Sequence, residues 1–312
     1  MTDKTIQVAC IGECMVELSH LSATDLKLSF GGDTLNTAIY LKRMTRDHDV
    51  IVDYVTALGD DVYSDAMLSS WRDEGLGVDL VARLTGRLPG LYIIRTNEQG
   101  ERSFTYWREQ AAARDLLKDG RDNTLTERLA AFDLIYLSGI TLSILDQAQR
   151  QSLFELVDRV RENGGRIAFD SNFRPAGWDS LEQARICFDA MLSRTDIALP
   201  TFDDEQALSG QTDAASLAER LHDLGVEHVV VKLGAKGCLL SDGSSAKIVE
   251  APPVETVTDS TAAGDSFNAA FLASLLLGKP PEQAALDGHR LAGRVIRHRG
   301  AIIPIDAMTD LY

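Results

Sequence analysis

Short apolar runs alternate with segments of helical periodicity along most of this chain. Runs long enough for buried strands lie at residues 7–11, 134–137, 166–169, 197–199 and 229–233. Between them, residues 147–161 and 214–224 have apolar positions at helical spacing, and a glycine follows soon after each segment. Strands that alternate with helices favour a parallel sheet covered on both faces. We therefore predict an α/β fold with three αβα layers around a mostly parallel central sheet.

Two early segments break this alternation. Residues 91–96 and 103–108 are rich in β-branched and aromatic residues, and Asn97-Glu98-Gln99-Gly100 lies between them, which is typical of a β-hairpin. A hairpin does not fit within a right-handed series of βαβ units. We predict one domain over residues 1–312, with a small β-sheet lid formed by residues of about 13–32 and 91–109.

The charge balance argues against several kinds of partner. The chain has 31 Lys and Arg against 47 Asp and Glu, a formal net charge of −16 at pH 7. Nucleic acid and anionic membranes are bound by basic surfaces, so we expect neither as a partner. No apolar run approaches the ~20 residues of a bilayer-spanning helix, and residues 1–5 lack a signal-peptide pattern, so we expect a cytoplasmic protein.

Asp259-Ser260-Thr261-Ala262-Ala263-Gly264-Asp265 precedes an apolar helix that we place at residues 266–277. Free amides at a helix N-terminus bind anions, so those of Ala263, Gly264 and Asp265 are candidates for holding a transferring phosphoryl group. The helix dipole favours the ionised form of Asp265, and a carboxylate beside a hydroxyl accepts its proton as the hydroxyl attacks phosphorus. A plain helix N-cap explains the same residues equally well.

A second motif separates these interpretations. Phe30-Gly31-Gly32-Asp33-Thr34-Leu35-Asn36-Thr37-Ala38 comes early in the chain, and residues 259–265 come late. With both motifs in this order, the sequence resembles the ribokinase-like (PfkB) carbohydrate kinase family over nearly its whole length. The resemblance implies a ribokinase-like fold, ATP and Mg²⁺ as cofactors, and Asp265 as the catalytic base.

The late motif of that family reads Asp-Thr-x-Gly-Ala-Gly-Asp, and two residues of this chain depart from it. Ser260 replaces Thr and keeps a hydroxyl. Ala262 replaces Gly and adds one methyl group, which costs little unless the position needs a positive φ.

The early motif suits a sugar ligand. Gly31 and Gly32 have no side chains, so a sugar can lie against the backbone, and Asp33 and Asn36 supply hydrogen-bonding groups. By itself the same stretch is better explained as a turn and an N-cap of a helix at residues 34–42.

Within the family, the chain is more similar to the 2-keto-3-deoxygluconate kinases, in residues 30–36, in Tyr106-x-Arg108 and in the Ala-Ala-Gly-Asp variant. In that group, lid Tyr and Arg residues contact an acid sugar. Tyr106 and Arg108 are two apart on a strand and face the same way, while Tyr92 on the paired strand adds a hydroxyl. Arg binds a carboxylate through two parallel N–H bonds.

Arg174 follows a buried strand, where ligand sites of α/β proteins open, and matches the family's Asp-x-Asn-x-Arg segment. A solvated surface charge explains Arg174 equally well. The family also has an Asn-x-x-Glu segment near the metal-bound phosphates, matched here by Phe202-Asp203-Asp204-Glu205, with Phe202 in place of Asn. Glu205 is the resulting candidate for contacting Mg²⁺ through water.

The sequence indicates the nucleotide-binding residues less specifically than the sugar-binding ones. Lys232-Leu233-Gly234-Ala235-Lys236-Gly237 follows a predicted strand, so Lys232, Gly234 and Gly237 are candidates, although a tight turn explains these glycines as well. The resemblance adds Thr261 and Gly264, and places His289 beside the adenine. The alternative for His289 is a solvated helix face shared with neighbouring arginines.

The combined prediction is an ATP-dependent kinase that phosphorylates 2-keto-3-deoxygluconate at its 6-hydroxyl. A kinase for fructose, ribose or a nucleoside, and a non-catalytic sugar-binding sensor, stay open as alternatives. A projecting lid with apolar side chains at Leu91, Ile93, Phe104 and Trp107 needs a partner surface, so we expect a homodimer.

Overall fold

The computed structural model describes residues 5–96, 102–118 and 121–311, so the predicted turn at residues 97–100 lies outside the described residues. The strands are β1 Ile6–Ile11, β2 Met15–His20, β3 Leu26–Gly31, β4 Val50–Val55, β5 Ala57–Leu58, β6 Ala82–Arg83, β7 Gly90–Thr96, β8 Arg102–Trp107, β9 Leu134–Ser138, β10 Arg166–Asp170, β11 Ile197–Ala198, β12 His228–Lys232, β13 Cys238–Ser241 and β14 Ala246–Val249. The helices are α1 Asp33–Met44, α2 Val62–Asp73, α3 Arg121–Leu129, α4 Gly139–Ile144, α5 Gln147–Glu162, α6 Leu181–Leu192, α7 Phe202–Ser209, α8 Ala214–Asp223, α9 Ala263–Leu276 and α10 Pro281–Val295.

The central sheet has eight strands in the order β14-β13-β12-β11-β10-β9-β1-β4. The pairings from β12 to β4 are parallel, and only β13 and β14 run antiparallel at one edge. The predicted strands agree with the observed ones within one or two residues. The carboxyl ends of the parallel strands meet at one edge of the sheet, where α/β proteins bind ligands.

Alternation along β9 shows how the three layers form. Ile135 and Leu137 belong to an apolar core shared with α3, α5, α6 and α8, whereas Leu134 and Tyr136 belong to a second core shared with α1, α2, α9 and α10. Successive side chains of a strand point to opposite faces, so each face of the sheet has its own helical layer. The predicted fold class is confirmed.

A separate four-stranded sheet, in the order β3-β2-β7-β8, contains the segments predicted to form a lid, and we call this sheet the lid. Directly paired residues share one face of a sheet. On one face of the lid, Glu17 pairs with Tyr92 and Tyr92 with Tyr106; on the other, Val16 pairs with Leu91 and Leu91 with Trp107. The lid therefore has a polar, aromatic face and an apolar face.

The helix α9 is buried on all sides because it lies between α1 and α10. Its residues from Ser266 to Ser274 are buried, which explains why its sequence is apolar all round. Its first turn points to the ligand-binding edge of the central sheet. Among the described residues, no helix is both long and apolar enough to cross a membrane.

Candidate active site

The helix α9 begins at Ala263, three residues before the predicted start. The Ala263 amide donates to the Ser260 carbonyl at 3.3 Å. The amides of Gly264 and Asp265 also lie in the first turn, where an α-helix offers them no acceptor. Of the three amides predicted to bind an anion, these two therefore remain available, and that of Ala263 is already engaged.

Ala262 precedes α9 with φ 60° and ψ 17°, which is the left-handed region. The exception stated for a positive φ therefore applies, and alanine is unfavourable at this position. A non-glycine residue in this region costs roughly 1 kcal/mol or more. The loop is held in this conformation by the buried carboxylate of Asp259, which accepts hydrogen bonds from the Thr261 amide and hydroxyl at 2.9 and 2.7 Å and from the Gly300 amide at 2.7 Å.

The Asp265 carboxylate is partly buried and accepts a hydrogen bond from Asn36 Nδ2 at 2.8 Å. Burial raises the pKa of Asp265 to about 8, and the negative charge of Asp33 adds to the rise, while the Asn36 hydrogen bond opposes it. The helix dipole favours the ionised form, and burial and the neighbouring negative charge outweigh it. A carboxyl group with such a pKa suits a general base near neutral pH.

Asp33 lies at the start of α1 and is held from two sides. Its Oδ2 accepts from Asn172 Nδ2 at 2.6 Å, and its Oδ1 accepts from the Thr34 amide at 2.9 Å. Burial raises the pKa of Asp33. Asn172 follows β10 with φ 32°, an unfavourable backbone conformation of the kind that clusters at functional sites.

Lys232 ends β12 and is buried, where it donates to Asp170 Oδ2 at 2.7 Å and to Asn268 Oδ1 at 3.1 Å. Asn268 also donates to Asp170 at 2.6 Å and to the Tyr136 hydroxyl at 3.1 Å. A Cβ atom on Gly264 would lie 3.4 Å from Lys232 Nζ. The ammonium predicted to reach the nucleotide is therefore fixed beneath the first turn of α9.

Gly234 and Gly237 lie in the tight turn between the antiparallel strands β12 and β13, where both have positive φ. The Leu233 amide donates to the Gly237 carbonyl at 2.8 Å across this turn. The turn interpretation of these two glycines is therefore confirmed, and a nucleotide contact from their backbone stays a prediction.

Tyr92 and Tyr106 lie side by side on the polar face of the lid, with ring centroids 5.8 Å apart. Tyr106 is 50% exposed, whereas Tyr92 is buried and donates from its hydroxyl to Glu17. The Arg108 guanidinium lies on the same face, 5.9 Å from the Tyr106 ring centroid, and donates to Glu13. The predicted common orientation of Tyr106 and Arg108 is confirmed.

The glycine pair of the early motif is needed for packing of the lid. A Cβ atom on Gly31 would lie 2.3 Å from the Tyr92 hydroxyl, and one on Gly32 would lie 2.1 Å from the Glu13 carbonyl oxygen. Side chains at either position would therefore separate α1 from the lid strands. Contact of these glycines with a sugar stays a prediction.

Arg174 is largely exposed and forms an ion pair with Asp204 at 3.1 Å. Glu205, one residue later, is fully buried, and burial raises its pKa to about 7. Contact of Glu205 with Mg²⁺ through water stays a prediction. Adjacent residues of a helix point about 100° apart, so Asp204 faces Arg174 while Glu205 faces the core.

His289 is buried rather than solvated, which overturns the surface interpretation. Its ring packs on Phe267 with centroids 4.9 Å apart, and its Nε2 lies 3.2 Å from the Val249 carbonyl oxygen. Burial lowers the pKa of His289. The residue lines a cavity of about 680 Å³ with residues 252–256 and the arginine side of α10, a place with room for an adenine.

A second cavity, of about 600 Å³, lies between the polar face of the lid and the loops around α9. Glu17 and Ser29 line it from the lid, and Asp259 and Thr261 line it from the opposite side. The motif at 259–265 contributes Asp259 and Thr261 to this cavity, and residues 252–256, which precede the motif, line the cavity beside His289.

The sequence model of the family described as pfkB family carbohydrate kinase matches residues 5–308. This chain belongs to the pfkB family of carbohydrate kinases. Relatives named 2-dehydro-3-deoxygluconokinase are 49% identical over 312 residues in Dickeya dadantii (99% of each chain) and 47% identical over 306 residues in Escherichia coli K12 (97% of this chain and 98% of the relative). The predicted resemblance to that family and group is confirmed.

Solved structures share the fold of this carbohydrate kinase. The 2-dehydro-3-deoxygluconokinase of Thermotoga maritima has a TM-score of 0.84 at 19% identity, covering 99% of this chain and 98% of its own. A putative ribokinase II of E. coli in complex with ATP and Mg²⁺ has a TM-score of 0.82 at 22% identity, covering 98% of both chains.

Sequence reasoning missed several polar residues of this kinase that support the site. They come from segments far apart in the chain and comprise Glu13, Glu17, Asp170, Asn172, Asp204 and Asn268. Asp170, Asn172 and Asp204 stand within motifs that the sequence did reveal. Glu13 and Glu17 follow the first strand, and their spacing matches no motif that predicts a chemical role.

Replacing Ala262 by glycine should stabilise the kinase by roughly 0.5–1 kcal/mol, because glycine adopts positive φ without strain. The measurement is denaturant unfolding with an unchanged m-value. Ala263→Gly, inside the first turn of α9, is the matched control and should destabilise by up to about 1 kcal/mol. A loss of stability in Ala262→Gly would contradict the strain at this position.

The pH dependence should report the raised pKa of Asp265. We expect kcat/KM to increase about tenfold per pH unit up to about pH 8, because only the ionised carboxylate accepts a proton. Asn36→Ala removes a hydrogen bond that favours the ionised form and should move this limb to higher pH. A limb near pH 4, or the same limb in both proteins, would rule out this assignment.

Proposed function

We propose that this kinase transfers the γ-phosphoryl group of ATP to the 6-hydroxyl of 2-dehydro-3-deoxygluconate, also named 2-keto-3-deoxygluconate. Two findings support the proposal. Relatives of 43–49% identity over nearly the whole chain have that name. In the structure, the Asp265 carboxylate lies in the first turn of α9 beside the amides of Gly264 and Asp265, and this juxtaposition supports phosphoryl transfer most directly.

In this proposal Asp265 accepts the proton of the sugar 6-hydroxyl. The hydroxyl oxygen attacks the γ-phosphorus of ATP, and ADP leaves. The amides of Gly264 and Asp265 donate to the negative charge that develops on the transferring group. Asn36 orients the carboxylate, and Lys232 places a fixed positive charge beneath the same turn. Closure of the lid excludes water, which would otherwise compete with the sugar for the phosphoryl group.

The acid sugar is assigned to the polar face of the lid. Arg108 binds its carboxylate, while Tyr106 and Tyr92 pack against the sugar, with Asp33 and Asn36 at its hydroxyls. ATP is assigned to the His289 side of α9, with Lys232 and the turn glycines Gly234 and Gly237 near its phosphates. Mg²⁺ supplies charge neutralisation at those phosphates and is generally held by few protein carboxylates together with phosphate and water.

ADP release measured over a panel of acid and neutral sugars tests the activity. Asp265→Asn should decrease kcat by at least ~10²-fold with sugar binding nearly intact, because the variant keeps the shape but loses the base. Asp213→Asn, a helix N-cap far along the chain at α8, is the matched control and should retain turnover. Normal turnover in Asp265→Asn would show that Asp265 is a helix cap and not the catalytic base.

The same panel decides between the alternatives. More distant relatives are named fructokinase in Vibrio alginolyticus and ribokinase in Haemophilus influenzae, at 26% and 24% identity. A neutral-sugar kinase would release ADP with fructose or ribose rather than with the acid sugar. A sensor of this fold would bind sugar with no ADP release.

The apolar face of the lid is the proposed contact with a second copy of this chain. Leu26, Leu28 and Trp107 are each more than 40% exposed on this face, next to the half-buried Ile93. Phe104, which was predicted to share it, lies instead on the polar face against Tyr106. Exposed apolar sheet faces of this kind are generally covered by a partner.

Light scattering during size-exclusion chromatography should give a dimer for the parent protein. Leu28→Arg should give a monomer, because it places a charge within the apolar face. Ile186→Arg is the control, since Ile186 is also exposed but lies on α6. A monomeric parent protein would overturn the proposed interface.

A further inference from the structure

Glu13 lies in the connection between β1 and β2, and only 2% of the residue is exposed. Its Oε2 accepts a hydrogen bond from Arg108, whereas its Oε1 is buried without a hydrogen-bond partner in the part of the chain that the structure describes. A Cβ atom on Gly90 would lie 2.8 Å from Oε1, so the strand β7 confines this oxygen from the other side. The buried charge of Glu13 is therefore compensated through one ion pair.

Arg108 has the complementary arrangement. Its side chain is 24% exposed, and its Nε has no hydrogen-bond partner within the described residues. A guanidinium has five N–H groups in one plane, and an edge that is bound to one carboxylate is not available to a second. Glu13 therefore determines which edge of Arg108 faces the sugar.

The charges around Glu13 make this carboxylate depend on Arg108. Burial raises the pKa of Glu13, the positive charges of Arg108 and, next, Arg114 oppose that rise, and the negative charge of Asp33 adds to it. Arg108 is the guanidinium that also donates a hydrogen bond to Glu13. Without Arg108, the negative charge of Glu13 would therefore act on any anionic group bound beside it.

We propose that Glu13 is a specificity-determining residue that positions Arg108 for the carboxylate of an acid sugar, an inference that rests on the proposed function. Without Arg108, Glu13 is a buried carboxylate with no ion-pair partner beside the site of the sugar carboxylate, and it repels that group. The effect of Glu13 on acid-sugar binding therefore has opposite signs with and without Arg108.

The test compares four proteins: the parent, Glu13→Gln, Arg108→Ala and the double variant. For 2-dehydro-3-deoxygluconate, KM should increase roughly tenfold in Glu13→Gln, because Arg108 loses a charged hydrogen-bond partner. It should increase at least about 30-fold in Arg108→Ala, because that variant also leaves a buried charge unpaired. The double variant should have a lower KM than Arg108→Ala. The changes should fall on KM more than on kcat.

Glu17 provides the matched control. It is also buried on the lid, but its carboxylate accepts from Tyr92, Ser19 and Ser29 rather than from an arginine. Glu17→Gln should change KM in the same direction with and without Arg108. Thermal unfolding of each variant reports whether it folds.

A purely structural role for Glu13 predicts that Glu13→Gln increases KM in both backgrounds, and that result would overturn the proposal. Should Glu13→Gln alone fail to fold, Arg108→Ala and the double variant still decide, because the double variant has no buried unpaired charge. A parent protein that phosphorylates only neutral sugars would instead refute the proposed function, separately from the ion pair of Glu13 and Arg108.

Discussion

The burial of one carboxylate, that of Asp265, constrains the rest of this structure. The helix α9 is apolar all round and is covered by α1 and α10, so its first turn can face a ligand only at the carboxyl edge of the central sheet. The acid at that turn is therefore removed from much of the solvent and has a raised pKa. The same burial leaves the Gly264 and Asp265 amides facing the place where charge would develop during phosphoryl transfer.

The carboxylates of the site would repel an anionic ligand unless other groups offset their negative charge. Asp33, Asp170 and Asp265 lie near one another, and the structure offsets them with the ammonium of Lys232 and with the amides of asparagine residues on separate elements: Asn36, Asn172 and Asn268. Amide donors stabilise a carboxylate without adding net charge. The basicity of Asp265 is thus set by hydrogen bonds and burial together, and the loop before it is held in an unfavourable conformation at Ala262 by the buried Asp259.

The two faces of the lid differ in character, because one is polar and faces the cavity and the other is apolar. Period-two alternation places Glu17, Tyr92 and Tyr106 on the side of the cavity, and Leu91 and Trp107 on the other side. A four-stranded sheet without helices of its own cannot bury both faces, so the apolar one needs cover from elsewhere. The ion pair of Glu13 and Arg108 ties the base of the lid to the residue that follows its last strand.

The sequence by itself determined the α/β class, the lid and the two motifs, because hydrophobic periodicity and motif residues are local properties. It also placed Tyr106 and Arg108 on one face of the lid, through the alternation of a strand. Only the tertiary structure decided which polar groups meet. Asn36 and Asp265 are 229 residues apart, and Glu13 and Arg108 are 95 apart. Such pairs depend on the order of strands and on how α1, α9 and the lid pack, and the burial that results from this packing sets the pKa of Asp265 and removes Glu205 from solvent.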